Sequence, residues 1–193
     1  MPGLTRHKSA WIYLLIGVAI MTVAALLELK MGRSLLCKCG TIRLWVGDTN
    51  SAENSQQLFD WYSFTHITHG FILYWVFHLI SRGKWSLGLC LVLAIFLEGS
   101  WEVLENSPFI IDRYRQTMAQ GYLGDTVLNS MSDISCAIAG FALAAWLPAW
   151  VTVALAVIME AALGYLIRDN LTLNVIMLIH PFQGIRHWQL SKP

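Results

Sequence analysis

The chain has 193 residues, of which 56% are hydrophobic and 13% charged, and its mean hydropathy is +0.54. This composition excludes an ordinary soluble domain, and a net charge of +1 excludes the strongly basic surface of a nucleic-acid-binding protein. The length fits one integral membrane domain, residues 1–193, and the expected partners are membrane lipids and, by self-association, a homo-oligomer.

Five apolar stretches approach the roughly 20 residues that a helix needs to span a bilayer. In chain order they are residues 11–27, 61–80, 85–104, 126–147 and 150–167. The first follows basic residues as a signal peptide does, but no small-residue cleavage site comes after it, so a retained helix is predicted. The sequence therefore predicts an all-α membrane protein with a bundle of five transmembrane helices.

Three further segments flank these stretches. Residues 170–179 are apolar but too short to span, which predicts a short C-terminal amphipathic or re-entrant helix. Two long connections remain, residues 31–60 and 106–124. Loops of this length in a compact protein are usually functional.

Polar residues gather at one end of the predicted bundle. With five crossings, the ends of the first, third and fifth helices lie on the same side as the starts of the second and fourth. Four of these helix ends carry the candidate ionisable side chains: His66 and His69 on the second helix, Glu98, Glu102 and Glu105 on the third, Asp125 and Asp133 on the fourth, and Glu160 on the fifth. The spacings of three, four and seven residues place them on single helical faces, which must turn away from lipid.

Imidazoles and carboxylates at one depth predict a metal site. We expect His66, His69, Glu98 and Asp133 to bind a divalent ion, Zn, Mn or Fe, and expect no other cofactor. The catalytic groups predicted beside it are the carboxylates of Glu102, Glu105 and Asp125, because a metal-bound water needs a general base. The structural alternative is a buried polar network that only holds the helices together.

The loops supply further candidates. Arg113, Arg115 and Arg168 are predicted to hold an anionic group of the substrate, or alternatively to neutralise the carboxylates. Trp101 shares a helical face with Glu98 and Glu105 and is predicted to wall the site. A structural disulfide or two unrelated thiols are favoured for Cys37 and Cys39 over a soft-metal site.

Membrane orientation is ambiguous in the sequence. Nine Lys and Arg residues fall on the predicted site side and four on the other, and a raw count of this kind indicates a cytoplasmic site. Several of the nine lie among carboxylates that would pair with them and remove them from the count. We therefore expect the N-terminus inside and the site facing the periplasm.

Several strings resemble a known family of multi-pass inner-membrane proteins of proteobacteria, an uncharacterised family with a domain-of-unknown-function label. They are Cys37-Lys38-Cys39-Gly40, His66-Ile67-Thr68-His69-Gly70, Trp101-Glu102-Val103-Leu104-Glu105-Asn106-Ser107-Pro108, Asp112-Arg113-Tyr114-Arg115 and Arg168-Asp169-Asn170-Leu171-Thr172-Leu173-Asn174. The resemblance covers nearly the whole chain. It implies a location in the bacterial cell inner membrane and no particular activity.

The functional hypothesis is an intramembrane metal-dependent enzyme, a hydrolase or transferase acting on a lipid or lipid-linked substrate. The alternative is a proton- or cation-coupled carrier, or a metal-handling protein, that uses the same carboxylates as a relay. A second alternative is a non-catalytic membrane assembly factor whose polar core is structural.

Overall fold

The computed structural model describes residues 3–117 and 121–191, with side chains from residue 10 onward; Lys192 and part of the predicted 106–124 loop lie outside the described residues. Within this part of the chain the fold is all-helical. Its elements are α1 (Gly3–Lys30), α2 (Ser63–Ser81), α3 (Leu87–Glu105), α4 (Pro108–Arg115), α5 (Val127–Trp146), α6 (Ala149–Leu166), α7 (Leu171–Ile179) and α8 (Gln183–Leu190). The described residues contain no strand, only an isolated parallel bridge between Trp45 and Phe59.

Four of the helices, α1, α3, α5 and α6, are long and apolar enough to cross a membrane. The predicted second span coincides with α2, but the Ser, Thr and His residues of α2 lower its hydropathy, so the five-span count is not confirmed. The predicted short C-terminal helix is α7. Two helices were not predicted: α4, which occupies part of the expected 106–124 loop, and α8.

The spans differ in how much of their surface the protein itself covers. In α5, 56% of the most apolar window is buried, against 11% in α1 and in α6. Large apolar side chains are exposed along both outer helices, among them Leu15 on α1 and Val157 on α6. Such surfaces suit contact with lipid. The centre of the bundle is therefore α2, α3 and α5.

Two glycines allow α2 and α5 to approach most closely. A Cβ added to Gly70 would collide with the carbonyl oxygen of Ala137, and one added to Gly140 would collide with the carbonyl oxygen of Ile67. Backbone contact of this kind between membrane helices requires small residues at the crossing. The crossing lies one residue beyond His69 and fixes the first turns of α2 against α5.

The long loop before α2 packs onto the start of α5. The first backbone amides of this helix have no intrahelical partner. Two of them donate to the loop instead, Val127 N to Ser34 O at 3.0 Å and Leu128 N to Leu35 O at 3.1 Å. The side-chain amide of Asn129 donates to Gln57 O at 3.0 Å. The predicted 31–60 loop is thus an ordered part of the bundle end.

Candidate functional site

Two histidines of α2 share one carboxylate of α3. The Nδ1 atoms of His66 and His69 lie 2.6 Å and 2.9 Å from the same oxygen, Glu98 Oε1. Their positions at i and i+3 put both rings on one face of α2, where the neighbouring α3 presents Glu98. His66 and Glu98 are buried, and the side chain of His69 is 20% exposed. The structure therefore brings these three predicted metal ligands together.

Glu102 lies one turn further along α3. Its Oε1 is 3.4 Å from His66 Nδ1, and the residue has no exposed surface. Neither of its carboxylate oxygens has a hydrogen-bond partner among the described residues. A buried carboxylate without partners is costly, so such a group usually binds a proton, an ion or a water molecule.

Asp133 approaches His66 from the opposite side, on α5. Its Oδ1 accepts a hydrogen bond from Ser63 Oγ at 3.1 Å, and its Oδ2 lies 3.9 Å from His66 Nε2. The ring of His66 thus has a carboxylate near each nitrogen. This position is suited to orienting the imidazole, which is the usual role of a carboxylate beside the second nitrogen of a metal-binding histidine.

Asp125 precedes α5 and is held from three sides. Tyr122 Oη donates to its Oδ1 at 2.8 Å, and Asn106 Nδ2 donates to its Oδ2 at 3.0 Å. Asn106 Oδ1 also accepts from the backbone amide of Asp125, at 2.6 Å. Burial raises the pKa of Asp125 to about 6, against the lowering effect of these donors. Asp125 can therefore exchange a proton near neutral pH.

The two histidines, Glu98, Asp125 and Asp133 line one cavity of about 710 Å³, whereas Glu102 does not. The predicted catalytic residue Glu105 and the predicted wall residue Trp101 line it as well. The apolar part of the wall includes Leu73 of α2 and Leu97 of α3. A cavity of this size, with convergent polar and ionisable groups and a partly apolar wall, is suited to a small-molecule site.

The C-terminal helices cover the cavity. α7 lines it with Leu171, Asn174, Val175 and Leu178, the spacing of one helical face, and α8 contributes Gln189. The first turn of α7 is fixed by Glu160 of α6, whose carboxylate accepts from the backbone amides of Leu171 and Thr172, both at 3.0 Å. The sequence had suggested that Glu160 joins the cluster of ionisable groups. In the structure it caps α7 instead.

Asp169 connects this cover to α2. It accepts from Tyr62 Oη at 3.1 Å, from Asn174 Nδ2 at 3.2 Å and from Gln189 Nε2 at 3.1 Å. Asp169 lines the cavity and is 5% exposed. Burial, and next the negative charge of Asp169, raise the pKa of the Tyr62 phenol well above its usual value. Tyr62 therefore stays a hydrogen-bond donor.

The three arginines predicted to bind substrate are held outside the cavity lining. Arg113 donates to the carbonyl oxygens of Leu178 and Ile179 at 3.0 Å and 3.1 Å, which are orphan acceptors at the end of α7. Arg168 bonds to the C-terminal end of α8, with Trp188 O at 2.8 Å. Arg115 donates to Tyr122 O at 2.7 Å. These arginines stabilise the cover and the loop, and the structure does not support a clamp for an anionic group.

Sequence reasoning did not single out several residues that line the cavity. They are Tyr62, Tyr114, Tyr122 and Gln189, with Asp169 noted only as a neighbour of Arg168. The sequence contained one indication of their role: Tyr62, Tyr114 and Tyr122 lie in segments next to helix ends that carry carboxylates. No spacing rule links such loops to a distant helix, so only the fold could reveal the contacts.

The donor atoms at the cavity wall fit a metal ion. His66, His69 and Glu98 each offer one ligand atom, and these atoms lie within 4.8 Å of one another; His66, Glu102 and Glu105 form a second such group. Two imidazoles and a carboxylate are a common donor set for Zn, and the unpartnered oxygens of Glu102 are a further potential ligand. Cys37 and Cys39 form a disulfide, one of the two preferred predictions for this pair.

Comparison with known proteins gives a consistent family. A family model described as "Protein of unknown function (DUF2585)" matches residues 28–191. A UPF0314 protein from Sphingopyxis alaskensis is 51% identical over 94% of this chain and 95% of its own length. UPF0314 proteins from Novosphingobium aromaticivorans and Sinorhizobium fredii are 50% and 44% identical, over 90% and 95% of this chain and 89% and 93% of their own lengths. No solved structure matches the chain. The chain therefore belongs to the DUF2585 family, which confirms the proteobacterial family that its motifs resemble.

Proposed function

We propose that this protein is an intramembrane enzyme that uses a divalent metal ion to hydrolyse, or to transfer a group from, a lipid or lipid-linked substrate. The observation that carries the proposal is the convergence of His66 Nδ1 and His69 Nδ1 on Glu98 Oε1, at the wall of a largely apolar cavity. A structural network has no need of an adjacent cavity of this size. The metal would be Zn, Mn or Fe, the ions that this mixture of nitrogen and oxygen donors accepts.

In this proposal His66, His69 and Glu98 would hold the ion, and a bound divalent ion would supply a nucleophilic water near neutral pH. Asp133 Oδ2 lies 3.9 Å from His66 Nε2, and its charge on that side would favour the tautomer that keeps the proton on Nε2 and leaves Nδ1 to bind. This replaces the predicted role of Asp133 as a ligand with one of positioning.

Glu105 is the proposed general base. It lines the cavity, and the side chains of Trp101 and Tyr114 both form hydrogen bonds with its carboxylate. Burial, and next the charge of Glu105, raise the pKa of the Tyr114 phenol well above its usual value, so Tyr114 stays a donor. Asp125, whose pKa burial raises to about 6, is mostly ionised at neutral pH and is a second proposed base, which can return the proton it accepts to a leaving group.

We further propose that α2 is a fifth membrane span in the bacterial inner membrane. Most of its polar residues are buried in the bundle, with His78 at its far end exposed, while Val76 and Leu79 are exposed on a face where lipid would lie. A disulfide between Cys37 and Cys39, in the loop at the site end, supports a periplasmic site, because disulfides persist in that compartment and are rare in the cytosol.

Elemental analysis of the purified protein tests the metal. We expect about one equivalent of Zn, Mn or Fe, and its loss in His66→Ala and in His69→Ala. The matched control is His78→Ala, on the same helix but exposed and outside the cavity lining. Equal metal content in His66→Ala and His78→Ala would contradict the proposal, provided that both variants keep the unfolding temperature of a folded protein.

A carrier function is the second candidate, because Glu28 of α1 is fully buried and lies outside the cavity lining. Neither of its carboxylate oxygens has a hydrogen-bond partner in the part of the chain that the structure describes. A buried carboxylate beyond the site is what a proton relay would need. Proton uptake by liposomes that contain the protein separates the two: a carrier loses uptake in Glu28→Gln, whereas the enzyme has no uptake to lose. A protein with neither metal nor uptake would fit the assembly factor.

A further inference from the structure

The cavity at the site end of the bundle reaches the middle of α3. Leu97 of α3 lines it, eight residues before the end of the helix at Glu105. At the rise of an α-helix, eight residues correspond to about 12 Å. α3 has 19 residues and is long and apolar enough to cross a membrane, so Leu97 lies near the midplane of a bilayer that α3 spans.

On α2, one helical face carries three exposed apolar side chains, and the cavity reaches one of them. Ile72, Val76 and Leu79 follow each other at intervals of four and three residues, and all three are exposed. Of these three, Ile72 alone lines the cavity. Val76 and Leu79 therefore mark a face that is directed away from the bundle, and Ile72 lies where the cavity meets that face.

The same arrangement occurs on α3. Leu97 and Leu104 lie seven residues apart on one helical face and are 45% and 48% exposed. Leu97 lines the cavity, whereas Leu104 does not. The cavity thus meets an outward-facing surface on both helices.

The two meeting points lie at a similar depth. His69 Nδ1 is 2.9 Å from Glu98 Oε1, which sets α2 and α3 level at this contact. Leu97 is one residue from Glu98, and Ile72 is three residues beyond His69. Because consecutive spanning helices run in opposite directions, both residues are displaced from the contact toward the middle of the bundle. The cavity therefore opens between α2 and α3 at a depth where hydrocarbon, and not water, lies outside.

Polar groups occupy the part of the cavity nearer the membrane surface. Glu98 and Asp125 line it between this opening and the site end, where Asp125 precedes α5. A ligand in the cavity would have its polar part toward the membrane surface and its apolar part toward the opening. This is the orientation that an amphiphile adopts in a bilayer.

We propose that the cavity opens sideways to the bilayer between Ile72 and Leu97, and that a hydrocarbon chain of a membrane lipid occupies this opening. As the route by which a substrate enters, the inference rests on the proposed function. As a lipid site it stands on its own, because Ile72 and Leu97 belong to neither potential metal-binding group.

Photolabelling in vesicles tests the opening. The protein is reconstituted into phosphatidylethanolamine and phosphatidylglycerol vesicles with a trace of phosphatidylglycerol that carries a diazirine halfway along one acyl chain. A parallel sample receives a membrane-impermeant, water-soluble diazirine. Tandem mass spectrometry locates the label, with exposed Val157 on α6 as the reference for contact with lipid.

Leu73 is the reporter, because it lines the cavity and is half-buried. We expect the chain probe to label Leu73 and the soluble probe to leave it unlabelled. Absence of chain labelling at Leu73 would overturn the proposal. Labelling of Leu73 by the soluble probe alone would also overturn it and indicate a cavity that is open only to water.

A bulky side chain at the opening shows whether the chain passes there. Leu97→Trp should lower chain labelling of Leu73, relative to Val157, by at least about fivefold, because a filled opening leaves no room for a chain. The matched control is Phe96→Trp, on the same helix and also exposed but outside the cavity lining. Equal labelling in the two variants would overturn the proposal.

A second pair of variants approaches the opening from α2, in case Leu97→Trp fails to fold. Ile72→Trp should lower the labelling of Leu73 in the same way, and its control is Val76→Trp, which lies outside the cavity lining. Equal labelling in this pair would likewise place the entry elsewhere and refute the opening.

Metal content separates this inference from the proposed function. His66→Ala should lose its metal and keep the chain labelling of Leu73, and Leu97→Trp should keep its metal. A protein that binds metal but is not labelled at Leu73 would refute only the inference. A protein that is labelled at Leu73 but binds no metal would refute only the proposed function.

Discussion

The two ends of α2 carry histidines in very different surroundings. At one end His66 and His69 contact Glu98 and lie beside a 710 Å³ cavity that contains five carboxylates. At the other end His78 is exposed, with its ring stacked on Tyr74 at 5.8 Å between centroids. The small cavity there, about 170 Å³, has no carboxylate in its lining. A histidine in an apolar segment is thus a poor indicator of a functional site on its own. The two ends of α2 differ because carboxylates of other helices reach the histidines at only one of them.

The largest loss of stability is expected from a substitution at the contact between α5 and the end of α2 that carries His66 and His69. Gly70→Ala should lower the free energy of unfolding by about 3 kcal/mol or more, because the added Cβ would collide with backbone atoms of Ala137 and Phe141, which cannot rotate away. The measurement is thermal unfolding in detergent, with an expected decrease in Tm of roughly 6–12 °C.

The control for this prediction is Gly99→Ala on α3. The nearest atoms to its added Cβ are 3.7 Å away, so its Tm should stay the same or rise slightly, as for glycine to alanine within a helix. Similar changes in the two variants would show that the close crossing of α2 and α5 does not hold the site end in place.

A smaller effect is expected from the shared carboxylate. Glu98→Leu should cost about 3 kcal/mol, since both His66 and His69 lose their charged acceptor, while Glu98→Gln should cost about 1 kcal/mol because an amide oxygen still accepts. Chemical denaturation in detergent measures both.

His78→Ala at the other end of α2 provides the comparison for Glu98, and it should stay within about 0.5 kcal/mol of the unmodified protein. If Glu98→Gln were as damaging as Glu98→Leu, a hydrogen-bonded role for Glu98 would be wrong.

The smallest effect is confined to a pH window. Burial raises the pKa of Asp125 from 3.8 to about 6, so the folded protein binds its proton more tightly than the unfolded chain. Stability from this group is then complete below about pH 4 and is lost as the pH rises through 6. Between about pH 4 and 6, the Tm of the metal-free unmodified protein should fall by more than the Tm of Asp125→Asn does. Identical pH profiles for Asp125→Asn and the unmodified protein would contradict the raised pKa.

Much of the site was accessible from the sequence because helical spacing is periodic. The stripe of Glu98, Glu102 and Glu105, and the pair His66 and His69, required only a count of residues and an odd number of crossings. The structure brings the stripe and the pair together. The apolar character of four of the five predicted stretches was equally readable.

The remaining features depend on contacts between distant segments. The charge of Arg113 and Arg168 suggested an anion clamp, but backbone carbonyls at the ends of α7 and α8 accept hydrogen bonds from them. The end of α7 was predicted, but its approach to Arg113 was not, and neither was α8. Glu160 was grouped with the site by depth alone, although the amide groups that open α7 are its partners. Hydropathy predicts which segments face lipid and which face water. It does not predict which polar group a given side chain will bind.

The bonds between the long first loop and the start of α5 set an order of assembly. The backbone amide of Thr126 donates to Ser55 O at 3.1 Å, and its hydroxyl donates to Gln56 O at 3.1 Å, across about 70 residues of chain. Synthesis runs from the N-terminus, so α2 and α3 are made before the residues of α5 that close their polar end. Until then the loop is without this anchor, and His66 is without Asp133. Under the proposed function, metal would bind at the completed site only after α5 has emerged from the ribosome.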